Sequence, residues 1–157
     1  MSERATPTIA RDRLVSLLNA AATQHVLVIG DAMLDVYLRG TVDRISPEAP
    51  VPVVRVDERR FALGGASNVA QNVSALGAGC DMVAVIGDDI GGATLRAHLS
   101  AAHIRERSLV TVDRPTTTKT RVMARSQQLV RFDEEVDADL TASEVELVLA
   151  AIERAMP

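Results

Sequence analysis

The sequence predicts an α/β fold, a layered body of parallel strands and helices that carries a small β appendage. Two continuous apolar runs, 26–29 and 82–86, each end at a glycine, as expected of parallel strands covered on both faces. Helical patterns of apolar residues lie before, between and after these runs. Two further stretches, 36–57 and 116–133, carry many polar positions and predict β-hairpins or edge strands. We therefore expect a β appendage built from two separate parts of the chain.

The composition fits one aliphatic core and excludes several classes of protein. The chain has 157 residues, of which 47% are apolar, 24% charged and 2% aromatic, and its net charge is −4. Its one cysteine, Cys80, excludes a disulfide framework and a thiolate zinc site, and we expect it to be a small buried residue. No apolar run approaches the ~18 residues of a membrane span, and residues 1–13 lack the apolar core of a signal peptide. A cytoplasmic protein with no membrane or nucleic-acid partner is expected.

The first two helices are predicted from apolar spacing. A helical stripe covers residues 9–21, ahead of any strand. The segment 66–76 has apolar residues on one face, and Gly77 after it is a natural helix stop. This second helix connects the two predicted parallel strands, as an α/β fold requires.

The two later helices begin at recognisable caps. Asp88 or Asp89 can cap a third helix, and Thr141 with Glu144 three residues later forms a capping box for the last one. We interpret the glycines of 87–92 as a strand end, a cap and close packing rather than as a phosphate loop. Three proline residues argue against a central strand in the first β stretch: Pro47, Pro50 and Pro52.

Two motifs could bind a ligand at strand ends. Asp31 and Asp35 follow the first strand, where open α/β sheets bind ligands, and an ionised aspartate can accept two hydrogen bonds from a vicinal diol. Gly64 and Gly65 let the backbone approach a ligand closely, and Asn68 offers both a donor and an acceptor. The alternatives are a turn aspartate with a helix cap, and an ordinary glycine turn. Neither a GxGxxG fingerprint nor a P-loop pattern occurs.

A third motif is basic. In an extended strand, Lys119, Arg121, Met123 and Arg125 would share one face, and the three cations could hold a phosphate or a carboxylate. The alternative is protection of an edge strand by charge. We interpret the acidic run 133–135 that follows as a solvated loop.

Together these motifs resemble the ribokinase-like, phosphofructokinase B-type carbohydrate kinases. The first signature of that family is a glycine pair, an asparagine and two spaced glycines, filled here by Gly64, Gly65, Ala66, Asn68, Ala70, Gly77 and Gly87. Three stretches resemble more specifically the D-glycero-β-D-manno-heptose 7-phosphate kinases, which supply heptose for lipopolysaccharide: GDAMLDVYLRGTVDRISPEAPVPVV, GGASNVAQNVSALGA and TTTKTRVMARSQQLVRFD. The resemblance covers roughly residues 24–135.

The resemblance implies a role for each candidate residue. Asp35 matches the carboxylate that binds sugar hydroxyls, Asp31 lies beside it, and the backbone and amide contacts to the sugar match Gly64, Gly65 and Asn68. Within the lid, the residues that would meet a substrate phosphate are Lys119, Arg121 and Arg125, with Gln127 and Gln128 as second-tier contacts. Such a lid closes over the sugar and excludes water, and in relatives it often doubles as a clasp between two subunits.

The resemblance also implies ATP and Mg²⁺ as partners of the intact kinase, with a catalytic aspartate in a GAGD motif. No GAGD occurs in these 157 residues. We therefore expect a helical extension over 1–23 and, over 24–157, the N-terminal, sugar-binding part of a kinase domain that is inactive alone. Two alternatives stay open: another sugar or nucleoside kinase of the same family, and a non-catalytic binding or dimerisation module.

Overall fold

The computed structural model describes residues 9–106 and 108–156. The described residues form four helices and eight strands in the order α1 (Arg11–Ala21), β1 (His25–Ile29), β2 (Ala32–Ile45), β3 (Pro52–Gly64), α2 (Gly65–Ala75), β4 (Gly79–Val83), β5 (Val85–Gly87), α3 (Ile90–Ala101), β6 (Val110–Val112), β7 (Thr118–Ala124), β8 (Gln127–Glu134) and α4 (Ala142–Ala155). The predicted α/β class is confirmed, as are both capped helices: Asp89 caps α3, and Thr141 and Glu144 form a capping box at α4.

The body contains two parallel strand pairs, β1 with β4 and β5 with β6. The prediction of one unbroken strand over 82–86 was wrong, because the pairing partner changes at Ala84. Up to Val83 the chain pairs with β1, and beyond Ala84 it pairs with β6, where the Ala84 carbonyl accepts a hydrogen bond from Val110. Parallel pairing of consecutive α/β units is the arrangement that places loops from different strands at one edge.

The core is aliphatic, as the composition predicts. Its largest fully buried side chains include Leu34, Met82, Ile86, Leu95 and Leu99. Cys80 is buried in β4, which confirms the expectation of a small buried residue. A second cluster joins α4 to the body through Val83, Val110 and Ala151.

The lid is a four-stranded sheet in the order β3-β2-β7-β8. It is larger than predicted, because β2 begins at Ala32 rather than at residue 36 and β3 continues to Gly64 rather than ending near residue 57. The first β stretch forms a β-hairpin, as expected, in which β2 pairs antiparallel with β3. Strand β3 lies at the sheet edge, whereas β2 lies between β3 and β7. The proline residues avoid β2: Pro47 and Pro50 lie in the connecting loop and Pro52 begins the edge strand β3.

The predicted first helix forms as α1, but its apolar stripe does not pack on the body. None of its residues is buried, and Leu14, Leu17 and Leu18 are each at least 40% exposed. Apolar spacing correctly predicts the helix because spacing is a local property of the sequence. Burial of the apolar stripe additionally requires another part of the chain to pack against it. Among the described residues, no helix is long and apolar enough to cross a membrane.

Candidate functional site

The lid sheet has one apolar face and one charged face, because side chains alternate along every strand. The register between β2 and β7 places Leu34 beside Thr118 on the apolar face, and Asp35 beside Lys119 on the charged face. The charged face carries side chains from three neighbouring strands: Asp35, Tyr37, Lys119, Arg121, Arg131 and Asp133. The structure therefore brings the predicted carboxylate and two of the predicted cations together.

Asp35 and Arg121 form an ion pair at the base of this face. Arg121 Nη1 donates to Asp35 Oδ1 over 2.5 Å, and the two side chains are only 20% and 23% exposed. Arg121 lies opposite Tyr37 in the register, and its guanidinium carbon is 5.3 Å from the centre of the Tyr37 ring. The hydrogen bond to Asp35 raises the pKa of Arg121, so the guanidinium stays charged at any physiological pH.

Lys119 is held by two carboxylates from β8 and the residue after it. Its Nζ lies 3.0 Å from Asp133 Oδ2 and 2.9 Å from Glu135 Oε2. These hydrogen bonds, first to Glu135 and then to Asp133, raise the pKa of Lys119. The interpretation of 133–135 as a solvated loop was wrong, because Asp133 and Glu134 belong to β8 and Asp133 is turned towards Lys119.

The glycine pair fits against the two aspartates. A Cβ on Gly64 would lie 2.6 Å from Asp35 Oδ2, and a Cβ on Gly65 would overlap the Asp31 carbonyl oxygen. Gly65 also has a φ of +55°, which favours glycine. The buried Ser67 hydroxyl fixes this turn by bonding to the carbonyls of Gly64 and Met33. The close approach predicted for the pair is thus an approach to the chain's own carboxylate and carbonyl.

The remaining candidates lie apart from this ion pair. Arg125 does not share a face with Arg121, because β7 ends at Ala124 and Arg125 has a φ of +54° in the two-residue turn to β8. Gln127 and Gln128 begin β8 and are exposed. Asp31 and Asn68 are exposed too, the first in the loop after β1 and the second on α2.

Reasoning from the sequence missed two residues that lie close to predicted site residues, Tyr37 and Arg114. Tyr37 follows Asp35 by two positions, so strand alternation alone would have placed it on the same face. Arg114 lies beside a cleft of about 760 Å³ that Asp31 also lines, and it bonds to Glu144 at 3.3 Å and to carbonyls of the 138–139 loop. No local pattern marks Arg114, because its partners come 24 to 30 residues later.

This arrangement combines groups that bind hydroxyls with groups that bind anions. A carboxylate accepts hydrogen bonds from hydroxyls, and the adjoining arginine and lysine side chains match a phosphate. Residues 23–156 match the pfkB family carbohydrate kinase domain. The chain belongs to the pfkB family of carbohydrate kinases. The resemblance predicted from the glycine-pair signature is thereby confirmed.

Curated relatives of this pfkB-family chain include a protein named as a heptose phosphate kinase. It is 43% identical over 140 residues to the bifunctional protein HldE of Rhodospirillum rubrum, covering 88% of this chain and 28% of that one. It is 51% identical over 112 residues to the D-beta-D-heptose 7-phosphate kinase of Bordetella bronchiseptica, covering 71% of this chain and 36% of that one. The chain therefore spans about a third of the length of these relatives.

Solved structures of a carbohydrate kinase and a ribokinase share the fold. A carbohydrate kinase from Agrobacterium tumefaciens matches 71% of this chain and 35% of its own with a TM-score of 0.57 at 21% identity. Ribokinase from Thermotoga maritima matches 71% of this chain and 37% of its own with a TM-score of 0.52 at 23% identity. The ribokinase-like α/β fold expected from the sequence is confirmed.

Replacing Gly64 with alanine tests the contact between the glycine pair and Asp35. The added Cβ would lie 2.6 Å from the Asp35 carboxylate and displace it, although the Gly64 backbone, at φ −116°, accepts alanine without strain. We expect the affinity for the sugar ligand to fall about tenfold, or about 1.4 kcal/mol, with a nearly unchanged unfolding midpoint. Gly91→Ala, where the nearest contacts are at 3.2 Å, is the control for calorimetric titration and chemical denaturation. Equal affinities of both variants and the wild type would contradict the prediction.

Proposed function

We propose that this chain is the sugar-binding part of a heptose 7-phosphate kinase, which transfers the γ-phosphate of ATP to the anomeric O1 of D-glycero-D-manno-heptose 7-phosphate. The observation that carries the proposal is the charged face of the lid, where Asp35 lies beside Arg121 and Lys119. Neutral sugars need no such cations, whereas a sugar that already carries a phosphate does. The name of the relative at 51% identity, a D-beta-D-heptose 7-phosphate kinase, supports the same substrate.

In the proposed reaction, a bond forms between O1 of the sugar and the γ-phosphorus of ATP. The bond between that phosphorus and the β,γ-bridging oxygen breaks, ADP leaves, and the O1 hydroxyl loses its proton to a base. Within this chain, Asp35 and the glycine pair would orient the sugar, and the lid would exclude water. We assign the base to no residue of the described chain.

Kinases of this family generally use ATP with Mg²⁺, which neutralises the charge on the transferred phosphate. Among residues 9–106 and 108–156, no three His, Cys, Asp or Glu side chains converge closely enough to hold a metal ion. We therefore assign no metal ligand to these residues. The product of this proposed step is a heptose 1,7-bisphosphate, the sugar precursor for ADP-heptose in lipopolysaccharide assembly.

The proposal is tested by binding to the purified chain. Heptose 7-phosphate should bind at least tenfold more tightly than ribose, because ribose offers hydroxyls to Asp35 but no anion to the lid. Equal affinities would favour the alternative of another sugar or nucleoside kinase. Absence of binding by either sugar would contradict the assignment of sugar recognition to these residues.

Replacing together the three cations that the sequence predicts for the phosphate tests this contact. We expect Lys119→Gln, Arg121→Gln and Arg125→Gln in one chain to weaken heptose 7-phosphate binding by at least tenfold, since each charged hydrogen bond contributes about 1.5–3 kcal/mol. Calorimetric titration measures the effect. The matched control removes three other lid arginines, which pair with Glu58 or Asp43: Arg39, Arg55 and Arg60. Unchanged binding in the triple lid variant would show that no phosphate is recognised there.

The lid strands are also proposed to join two copies of the chain. On the apolar face, Phe132 and Val130 of β8 are 47% and 51% exposed, and Phe61 of β3 is 38% exposed. Burial of such side chains against a second lid would remove apolar area from water. Sedimentation of the wild type should give a dimer, and Phe132→Glu should give a monomer. A monomeric wild type would exclude this assembly.

A further inference from the structure

The carboxylate proposed to bind sugar hydroxyls is already bonded within the chain. Arg121 Nη1 donates a hydrogen bond to Asp35 Oδ1 over 2.5 Å, and about four-fifths of each side chain is shielded from solvent. A hydrogen bond between two ionised groups is roughly twice as strong as one between neutral groups. A sugar hydroxyl alone is therefore a weak competitor for this oxygen, and both carboxylate oxygens accept hydroxyls only when another group takes the guanidinium.

The charges of this face are balanced before any ligand arrives. Three cations, Lys119, Arg121 and Arg131, are each bonded to carboxylates among Asp35, Asp133 and Glu135. An incoming anion can therefore form an ion pair on this face only by replacing a carboxylate. Of these carboxylates, Asp35 is the one proposed to bind the sugar, and it pairs with Arg121.

Arg121 is the cation whose exchange for an anion frees Asp35, whereas Arg131 pairs with Asp133 at 3.0 Å. Lys119 is held by two carboxylates, at 3.0 Å and 2.9 Å, whereas Arg121 is bonded to Asp35 through one of its five N–H groups. Its planar guanidinium can also donate two parallel hydrogen bonds to one phosphate. The Tyr37 ring, 5.3 Å away, supports the guanidinium by a contact that does not depend on Asp35.

We infer that Arg121 is a phosphate-responsive counter-ion of Asp35: the phosphate of the substrate takes the guanidinium and thereby frees the carboxylate for the sugar hydroxyls. The inference rests on the proposed function, and it explains how the site would prefer a sugar phosphate to a neutral sugar. A neutral sugar must break the ion pair unaided, whereas a sugar phosphate supplies the anion that replaces it. By linkage, phosphate strengthens sugar binding and sugar strengthens phosphate binding by the same factor.

The coupling is measured with two separate probes, unphosphorylated D-glycero-D-manno-heptose and inorganic phosphate. We expect saturating phosphate to lower the Kd of the wild-type chain for the neutral heptose about tenfold in calorimetric titrations, within the usual range of coupling between sites. In Arg121→Gln, the Kd for the neutral heptose should no longer depend on phosphate. It should also be no higher than in the phosphate-free wild type, because Asp35 has lost its competitor.

Two further variants separate this coupling from a general effect of charge. Arg39→Gln removes a half-exposed arginine from the same face of β2, 4.0 Å from Glu58, and should keep the full coupling. Asp35→Asn should tighten binding of inorganic phosphate about tenfold, because Arg121 loses its counter-ion, and should not respond to the neutral heptose. A loss of coupling in Arg39→Gln would overturn the inference.

The outcomes distinguish this inference from the function on which it rests. If heptose 7-phosphate binds but neutral heptose and phosphate bind independently, the counter-ion role is wrong and the proposed function stands. An unchanged phosphate Kd in Asp35→Asn has the same meaning. If heptose 7-phosphate does not bind the wild type, both proposals are wrong.

Discussion

Replacing Asp35 with alanine is expected to weaken the binding of heptose 7-phosphate about 100-fold. The change removes a carboxylate that can accept two hydroxyl bonds, and hydrogen bonds to charged groups each contribute about 1.5–3 kcal/mol. It also leaves Arg121, which is 23% exposed, without its carboxylate partner. Calorimetric titration of the purified chain gives the loss directly, and chemical denaturation shows whether the fold is retained.

Asp43→Ala is the matched control for this experiment. Asp43 lies on the same strand, but its side chain is 60% exposed and pairs with Arg55 at 3.2 Å near the far end of the lid. Exposed pairs of this kind contribute little, so both affinity and stability should stay close to the wild type. If Asp35→Ala and Asp43→Ala bind the sugar phosphate equally well, Asp35 is not the sugar carboxylate.

Replacing Asp89 with alanine is expected to destabilise the chain by about 2 kcal/mol. Asp89 Oδ1 accepts hydrogen bonds from Gly92 N–H and the Thr116 hydroxyl, and Oδ2 accepts one from Thr116 N–H. These bonds cap α3 and tie it to the segment that leads into β7. Loss of a helix cap costs about 0.5–2 kcal/mol, and the unpaired Thr116 groups add to this. Asp88→Ala, at the exposed neighbouring position, should change stability little in urea denaturation.

The contribution of Asp89 should also depend on pH. Partial burial acts to raise the pKa of Asp89, but the hydrogen bonds from Thr116 and Gly92 outweigh it and hold the pKa below its ordinary value. A carboxyl whose pKa is lowered by folding stabilises the native state above its unfolded pKa and loses this effect as the pH falls through the folded pKa. The stability difference between wild type and Asp89→Ala should therefore shrink below about pH 4. A constant difference down to pH 2 would contradict the assigned cause.

Local patterns in the sequence were enough to predict the elements and most of the motifs. The caps at Asp89 and Thr141 depend on contacts three residues along the chain, so their residue types are visible in a short window. The glycine pair, with Ser67 after it, is likewise a property of one turn. Alternation along β7 correctly placed Lys119 and Arg121 on one face, because a strand repeats every two residues.

What the sequence alone determined about this protein is its family, its elements and the residue types of the site. Tertiary structure decided which charges meet: Arg121 reaches Asp35 from 86 residues away, and Lys119 meets Asp133 because β7 folds back onto β8. The pairing of β7 with β8 also requires a turn between them, and Arg125 lies in that turn rather than in the strand. Local periodicity specifies which face a side chain takes, whereas its partner is set by strands that pair across long separations. For that reason, the sequence alone could not predict that the lid cations are paired with carboxylates of the same chain.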